Sequence, residues 1–116
     1  MSEDLKTRTK DYAIRIIRMY ADLPKTVESQ VVGKQLLRSG TSVGAHYRES
    51  QYAKSDADFI SKIEGGLQEL EETAYWLEIL DEMSIFRTEK LDPIRAETHE
   101  LIAIFVTIAK KVKSRR

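Results

Sequence analysis

Apolar residues along this chain recur at intervals of three and four, the spacing that puts them on one face of an α-helix. Four segments show this pattern, polar connections separate them, and no run alternates as a β-strand does. In the first segment, about Asp4 to Asp22, the apolar line is formed by Tyr12, Ile16, Met19 and Leu23. The pattern predicts an all-α chain built from four amphipathic helices.

The boundary between the first two helices is marked by Leu23-Pro24, because a residue that precedes proline avoids the helical region. Thr26 is a suitable cap for the second helix, which is predicted over about Val27 to Ala53. The apolar line of this helix consists of Val32, Leu36, Val43 and Tyr47.

Ser55 and Asp58 form a capping-box pattern immediately before an apolar run, and this pattern predicts the start of the third helix. Its apolar line consists of Phe59, Ile63, Leu67, Leu70, Ala74, Leu77 and Leu80. The fourth helix begins either with Thr88 as its cap or with Asp92 as its cap and Pro93 as its first residue. We favour Asp92, because proline is common at a first helical position. The fourth apolar line is Ile94, Leu101, Phe105, Ile108 and Val112.

Small residues interrupt the middle of the second helix between Arg38 and Ser50. A glycine inside a helix costs roughly 1 kcal/mol relative to alanine, so Gly40 and Gly44 on one face need a compensating reason. We favour an uninterrupted helix over a break near Gly40, since no proline or cap accompanies the glycines. Close approach of another backbone, from the same chain or from a second copy, would supply the reason.

Two adjacent aromatic residues, Tyr75 and Trp76, point about 100° apart on the third helix, so at least one of them is expected to stay exposed on a monomer. Exposed Trp and Tyr are enriched at interfaces, which favours self-association over a partly covered core position. The residues predicted to form an oligomer interface or a close packing contact are Ser39, Gly40, Val43, Gly44, Tyr47, Tyr75 and Trp76.

Length and composition limit the number of domains, the chemistry and the cellular location to be expected. The 116 residues predict a single domain, 1-116, with a basic tail at 110-116, and the absence of cysteine excludes disulfides and thiolate sites. The longest apolar run, 101-109, is far shorter than the ~20 residues of a membrane span, and the N-terminus lacks a hydrophobic signal region. We therefore expect a soluble, cytoplasmic protein that forms an antiparallel up-down-up-down four-helix bundle.

The net charge is zero, but its distribution is uneven. Residues 1-54 carry ten basic and six acidic side chains, residues 55-105 carry four and thirteen, and residues 106-116 carry five and none. An up-down bundle would bring the start of the first helix and the end of the fourth to one basic pole. A phosphate-binding role is one hypothesis for it, and simple capping of the fourth helix is the alternative. The candidate nucleic-acid contacts are Lys6, Arg8, Lys10, Lys110, Lys111, Lys113, Arg115 and Arg116.

Candidate catalytic chemistry is sparse. Helical bundles hold metals through Glu-x-x-His motifs, but the residues three before His46 and His99 are Val43 and Ala96. Ser42 and His46 could meet on one helical face as a nucleophile and base would, yet no orienting carboxylate is evident. We predict no catalytic residues, no metal, no cofactor and no small-molecule substrate, so that the chain is expected not to be an enzyme.

Several stretches resemble a known family in their order along nearly the whole chain. They are residues 35-50, QLLRSGTSVGAHYRES, followed by Asp58-Phe59-Ile60, Leu70-Glu71-Glu72-Thr73 and Trp76-Leu77. Together they look like the four-helix bundle proteins encoded in 23S ribosomal RNA intervening sequences. Members of that family typically carry asparagine at the position of His46 and often glycine at that of Ser50.

The resemblance implies a left-turning antiparallel bundle that assembles as a ring-like homopentamer, with no catalytic residues. It also implies kinship with the accessory variability protein of diversity-generating retroelements, whose pentameric barrel binds a reverse transcriptase and nucleic acid. The resulting hypothesis is a homo-oligomeric scaffold that contacts RNA, DNA or a nucleic-acid enzyme through a basic surface. The alternative is a protein-protein interaction module with no nucleic-acid role.

Overall fold

Residues 4–115 are described by a computed structural model, and this part of the chain contains four α-helices and no strand. The helices are α1 (Leu5–Ala21), α2 (Val27–Ser50), α3 (Asp56–Glu82) and α4 (Thr88–Lys113). Their connections are short, which makes each helix antiparallel to the next. The predicted all-α, four-helix fold is confirmed.

Side-chain caps fix the starts of the first three helices. Asp4, Thr26 and Ser55 each accept a hydrogen bond from a backbone N–H in the first turn of the helix that follows. The caps predicted at Thr26 and Ser55 are therefore confirmed. The second helix ends at Ser50, three residues before the predicted end, and runs without a break through Gly40.

The start of α4 differs from the prediction. The helix begins at Thr88, so the choice of Asp92 as cap was wrong, and Pro93 lies inside the helix. Two contacts explain the early start: the Thr88 hydroxyl donates to Asp81 at 2.8 Å, and Leu91 is fully buried in the core. These contacts offset the single backbone hydrogen bond that Pro93 removes near the helix start.

The four helices form an elongated bundle, 48 Å long and 24 by 21 Å across. Consecutive helices pack side by side, α1 and α4 approach each other more sparsely, and the backbones of the diagonal pairs, α1 with α3 and α2 with α4, stay apart. A single core runs down the middle, and its fully buried side chains include Tyr12, Leu36, Leu70 and Phe105. Since α1 has 17 residues and α4 has 26, α1 covers only part of the length of its neighbour.

None of the four helices between residues 4 and 115 has an apolar stretch long enough to cross a membrane.

Candidate interaction surfaces

The small-residue strip of α2 packs against α1 of the same chain. A Cβ built on Gly40 would lie 2.8 Å from Ile16 Cγ1, and one built on Gly44 would lie 3.1 Å from Thr9 Oγ1. Both glycines are buried, as is Val43. Tyr47 is half-buried, with its ring centroid 6.2 Å from that of Phe105. The compensating close approach thus comes from α1, and the buried strip offers no surface to a second copy.

Four buried hydroxyls form a polar layer across the core. Thr73 Oγ1 of α3 donates to Ser39 Oγ of α2 at 2.8 Å, while the hydroxyls of Tyr12 in α1 and Thr98 in α4 lie 2.6 Å apart. Thr98 Oγ1 donates to the carbonyl of Ile94, so Tyr12 is the donor in its pair. Burial raises the pKa of Tyr12 well above its ordinary value. The layer fixes the relative heights of the helices, because a shift would leave buried hydroxyls unpaired.

His46 occupies a notch at Gly65 and Gly66 of α3. A Cβ on Gly65 would lie 2.8 Å from His46 Nδ1, a nitrogen that is buried without a hydrogen-bond partner in the described residues. Glu69 Oε2 lies 3.8 Å from His46 Nε2. The sequence analysis missed this notch, although the adjacent Gly65 and Gly66 were a usable signal. Within residues 4–115 no group of His, Asp or Glu side chains is arranged to hold a metal ion.

Ser42 and His46 do not form a nucleophile and base pair. The Ser42 hydroxyl donates instead to the carbonyl of Arg38 at 2.6 Å, a common bond for serine inside a helix. The hydroxyl is therefore engaged by the backbone of its own helix.

Tyr75 and Trp76 differ in exposure, as expected from their positions on α3. Tyr75 is 54% exposed, whereas Trp76 is half-buried and donates its indole N–H to Glu72 at 3.2 Å. The two rings meet edge to face, with centroids 5.0 Å apart. Tyr75 therefore presents a large ring to solvent from a fixed position, which is a feature of interface residues.

The predicted basic pole does not form as one surface. Arg8 donates to Glu97 Oε2 at 2.8 Å and to Glu100 Oε1 at 2.5 Å, and these hydrogen bonds raise the pKa of Arg8. Glu100 precedes Lys110 by ten residues, which is about 15 Å along a helix. Because α1 is shorter than α4, its first turns lie beside the middle of α4 and away from the tail. The expected meeting of the two basic segments was wrong for this reason.

Some of the candidate basic residues are already neutralised. Lys113 pairs with Glu64 at 2.6 Å, and Arg115 lies 3.6 Å from Asp56. Arg116 lies outside the described residues. Of the candidate contacts, those exposed and without an ion pair to a carboxylate in residues 4–115 are Lys6, Lys10, Lys110 and Lys111. The nucleic-acid contact of these residues stays a prediction.

Comparisons with known proteins agree with the fold. A family model described as "23S rRNA-intervening sequence protein" matches residues 3–107. One solved structure, a protein with unknown function from the S23 ribosomal protein family of Bacteroides thetaiotaomicron, shares 37% identity, with a TM-score of 0.87. The match covers 92% of this chain and 99% of that chain. No curated protein matches the sequence.

Proposed function

Since the chain belongs to the family of 23S rRNA-intervening sequence proteins, we propose that it is a scaffold that assembles with copies of itself and catalyses no reaction. The observation that carries the proposal is the set of large apolar side chains left on the outside of the bundle. Ile17 is 48% exposed, Val31 58% and Tyr75 54%. Their helices have complete cores without them, so these side chains gain burial only from another molecule.

The expected assembly is a homopentamer, which is the number that the family resemblance implies. Five copies of a 13.4 kDa chain give a mass of about 67 kDa in a closed ring. Multi-angle light scattering over a range of micromolar concentrations tests this proposal. A mass of about 67 kDa supports the pentamer, another multiple of the chain mass supports self-association with a different number of copies, and a mass of 13.4 kDa at every concentration rejects both.

The scaffold's second proposed property is contact with nucleic acid or with a nucleic-acid enzyme. Lys110 and Lys111 support it, because they are exposed at the end of α4 and pair with no carboxylate in the described part of the chain. Both cations also suit the dipole at the end of the helix, which is the basis of the alternative without nucleic acid. The alternative is a protein-protein interaction module.

Titration of labelled RNA and DNA at two salt concentrations separates these two functions. Phosphate contacts lose affinity as salt rises, so the proposal predicts binding at low salt that weakens at high salt. The matched variant is Lys110→Gln/Lys111→Gln, which keeps the length of α4 and removes two charges. Binding that is absent at low salt, or that does not depend on salt, favours the interaction module. Salt-dependent binding that does not need these lysines places the phosphate contact elsewhere on the surface.

A further inference from the structure

The outer face of α1 carries a line of exposed residues opposite its buried line. The spacing of four, four, three and four keeps this line on one side of the helix. Its apolar centre is exposed, with Ile14 at 38% and Ile17 at 48%. The two lysines at its start make no ion pair with the described carboxylates. This basic stripe consists of Lys6, Lys10, Ile14, Ile17 and Ala21.

A second line of exposed residues runs along the outer face of α3, at steps of three and four residues. Tyr75 lies at its centre, and acidic residues lie on both sides of the ring. This acidic stripe consists of Gln68, Glu71, Tyr75, Glu78 and Glu82. Each stripe extends over about 22 Å, so the two have nearly equal lengths.

From Glu64 onward, the acidic residues of α3 divide into two groups according to their position. Those on the flanks that face the neighbouring helices are paired within the chain: Glu69 and Glu72 with Arg38, Asp81 with Arg95, and Glu64 with Lys113. The three glutamates of the acidic stripe have no ion pair with any residue in the range 4–115. The fold therefore satisfies the flanking charges and leaves the outer ones without a partner.

The two stripes cannot satisfy each other within one chain, because α1 and α3 stand at opposite corners of the bundle. We propose that the basic stripe of one copy docks against the acidic stripe of a second copy. Ile14 and Ile17 would cover the ring of Tyr75, while Lys6 and Lys10 face glutamates at one end of the contact. This inference rests on the self-association in the proposed function and names the surfaces that carry it.

Complementary charge and nearly equal length favour a second copy as the occupant of both stripes. A nucleic acid fits the basic stripe less well, because its centre is formed by Ile14, Ile17 and Ala21, which offer no charge or hydrogen bond to phosphate. A contact between two different faces is heterologous, so each copy keeps one stripe of each kind for the next neighbour. Assembly then continues until a ring closes.

Charge reversal tests the pairing. The first variant, Lys6→Glu/Lys10→Glu, makes both stripes acidic, and the second, Glu71→Lys/Glu78→Lys, makes both stripes basic. Each is expected to weaken self-association at least about tenfold in sedimentation velocity, because like charges then face each other. The variant that carries all four changes has opposite charges again and is expected to regain assembly, as is an equimolar mixture of the first two.

The matched control is Lys25→Glu/Lys54→Glu, which alters the net charge as much as the first variant but lies in the exposed connections, outside both stripes. The far-ultraviolet circular dichroism of every variant should match that of the parent, since all the changed positions are exposed. Recovery in the four-change variant excludes misfolding as the cause of the loss.

Four results would overturn the pairing. If the parent associates but neither reversal changes its mass, the pairing is wrong and the proposed scaffold stands. If only the lysine reversal weakens assembly and the four-change variant does not recover, α1 contacts a surface other than the acidic stripe. If the lysine reversal abolishes binding of an RNA oligonucleotide and leaves the mass unchanged, the basic stripe is a phosphate site. A monomeric parent contradicts both the pairing and the scaffold.

Discussion

Replacement of Gly40 by alanine tests the close packing of α1 on α2. The added methyl group would lie 2.8 Å from Ile16 Cγ1 and 2.9 Å from Ile16 Cγ2. Ile16 is fully buried and branched at Cβ, so rotation of its side chain only exchanges one branch for the other. The two helices must therefore separate slightly to admit the methyl group.

Two opposing effects set the magnitude of the change. Alanine improves the helix by roughly 1 kcal/mol relative to glycine. Overpacking of a filled core costs about 1 to 3 kcal/mol. The free energy of unfolding is therefore expected to fall by about 1 kcal/mol, which corresponds to a drop in Tm of roughly 4 °C for a chain of this length.

Urea unfolding at one fixed protein concentration measures this change. The same substitution in an Ile16→Ala chain tests whether contact with Ile16 is the cause. In an Ile16→Ala chain the obstructing carbon atoms are absent, so Gly40→Ala should be neutral or stabilising there, with a coupling energy of about 1 to 2 kcal/mol. Gly44→Ala is the matched comparison and should cost less, because its nearest obstacle, Thr9 Oγ1, lies farther away at 3.1 Å. A stabilising effect of Gly40→Ala in the parent chain would refute the packing.

Three further predictions follow from single contacts. Ser84 has a positive φ of 56° at the end of α3, where the chain makes the hydrogen bonds of a Schellman motif, so Ser84→Gly should raise the free energy of unfolding by about 0.5 to 1 kcal/mol in urea. Thr98→Val removes the acceptor that lies 2.6 Å from the buried hydroxyl of Tyr12 and should lower the same free energy by about 1 to 3 kcal/mol. A hydrogen bond from Arg38 lowers the pKa of Glu72 below its ordinary value of 4.5. The pair therefore stabilises the fold above pH 4.5, and this stabilisation is lost as the pH falls. Arg38→Met removes the pair, so the Tm of this variant should fall less than that of the parent on acidification below pH 4.5.

Each of these three predictions has a matched comparison. Ser84→Ala keeps the strain of a positive φ and should not stabilise the chain. Thr107→Val changes an exposed threonine of α4 whose hydroxyl bonds only to its own helix, so little effect is expected. Arg48→Met removes an exposed arginine that has no ion pair with a described carboxylate, and its acid profile should match that of the parent. An acid profile that is the same in the Arg38 and Arg48 variants would contradict the role of Glu72.

The apolar spacing predicted the helices because each core line repeats over several turns, and the caps at Thr26 and Ser55 set two of the starts. The start of α4 was missed because Pro93 imitates a first helical residue, while the contacts that extend the helix come from Asp81 and the core. The apolar spacing gives information about one helix at a time, whereas the contacts that extend α4 are made with other helices and could not be predicted from it.

The candidate site was harder to predict for the same reason. The glycines of α2 predicted a closely packed neighbour, but no residue near them in the sequence indicated that this neighbour is α1. The basic pole was wrongly expected because the sequence shows which residues are charged but not which charges pair. Arg8 donates to Glu97, and the shorter α1 does not extend to the tail of α4. The exposed lines of α1 and α3 become visible only when the buried faces are known.

Sedimentation equilibrium of the unmodified chain across micromolar concentrations tests the central claim most directly. An assembling scaffold predicts a weight-average mass several times 13.4 kDa that falls towards the chain mass on dilution or in high salt. A mass that stays at 13.4 kDa throughout would contradict the account.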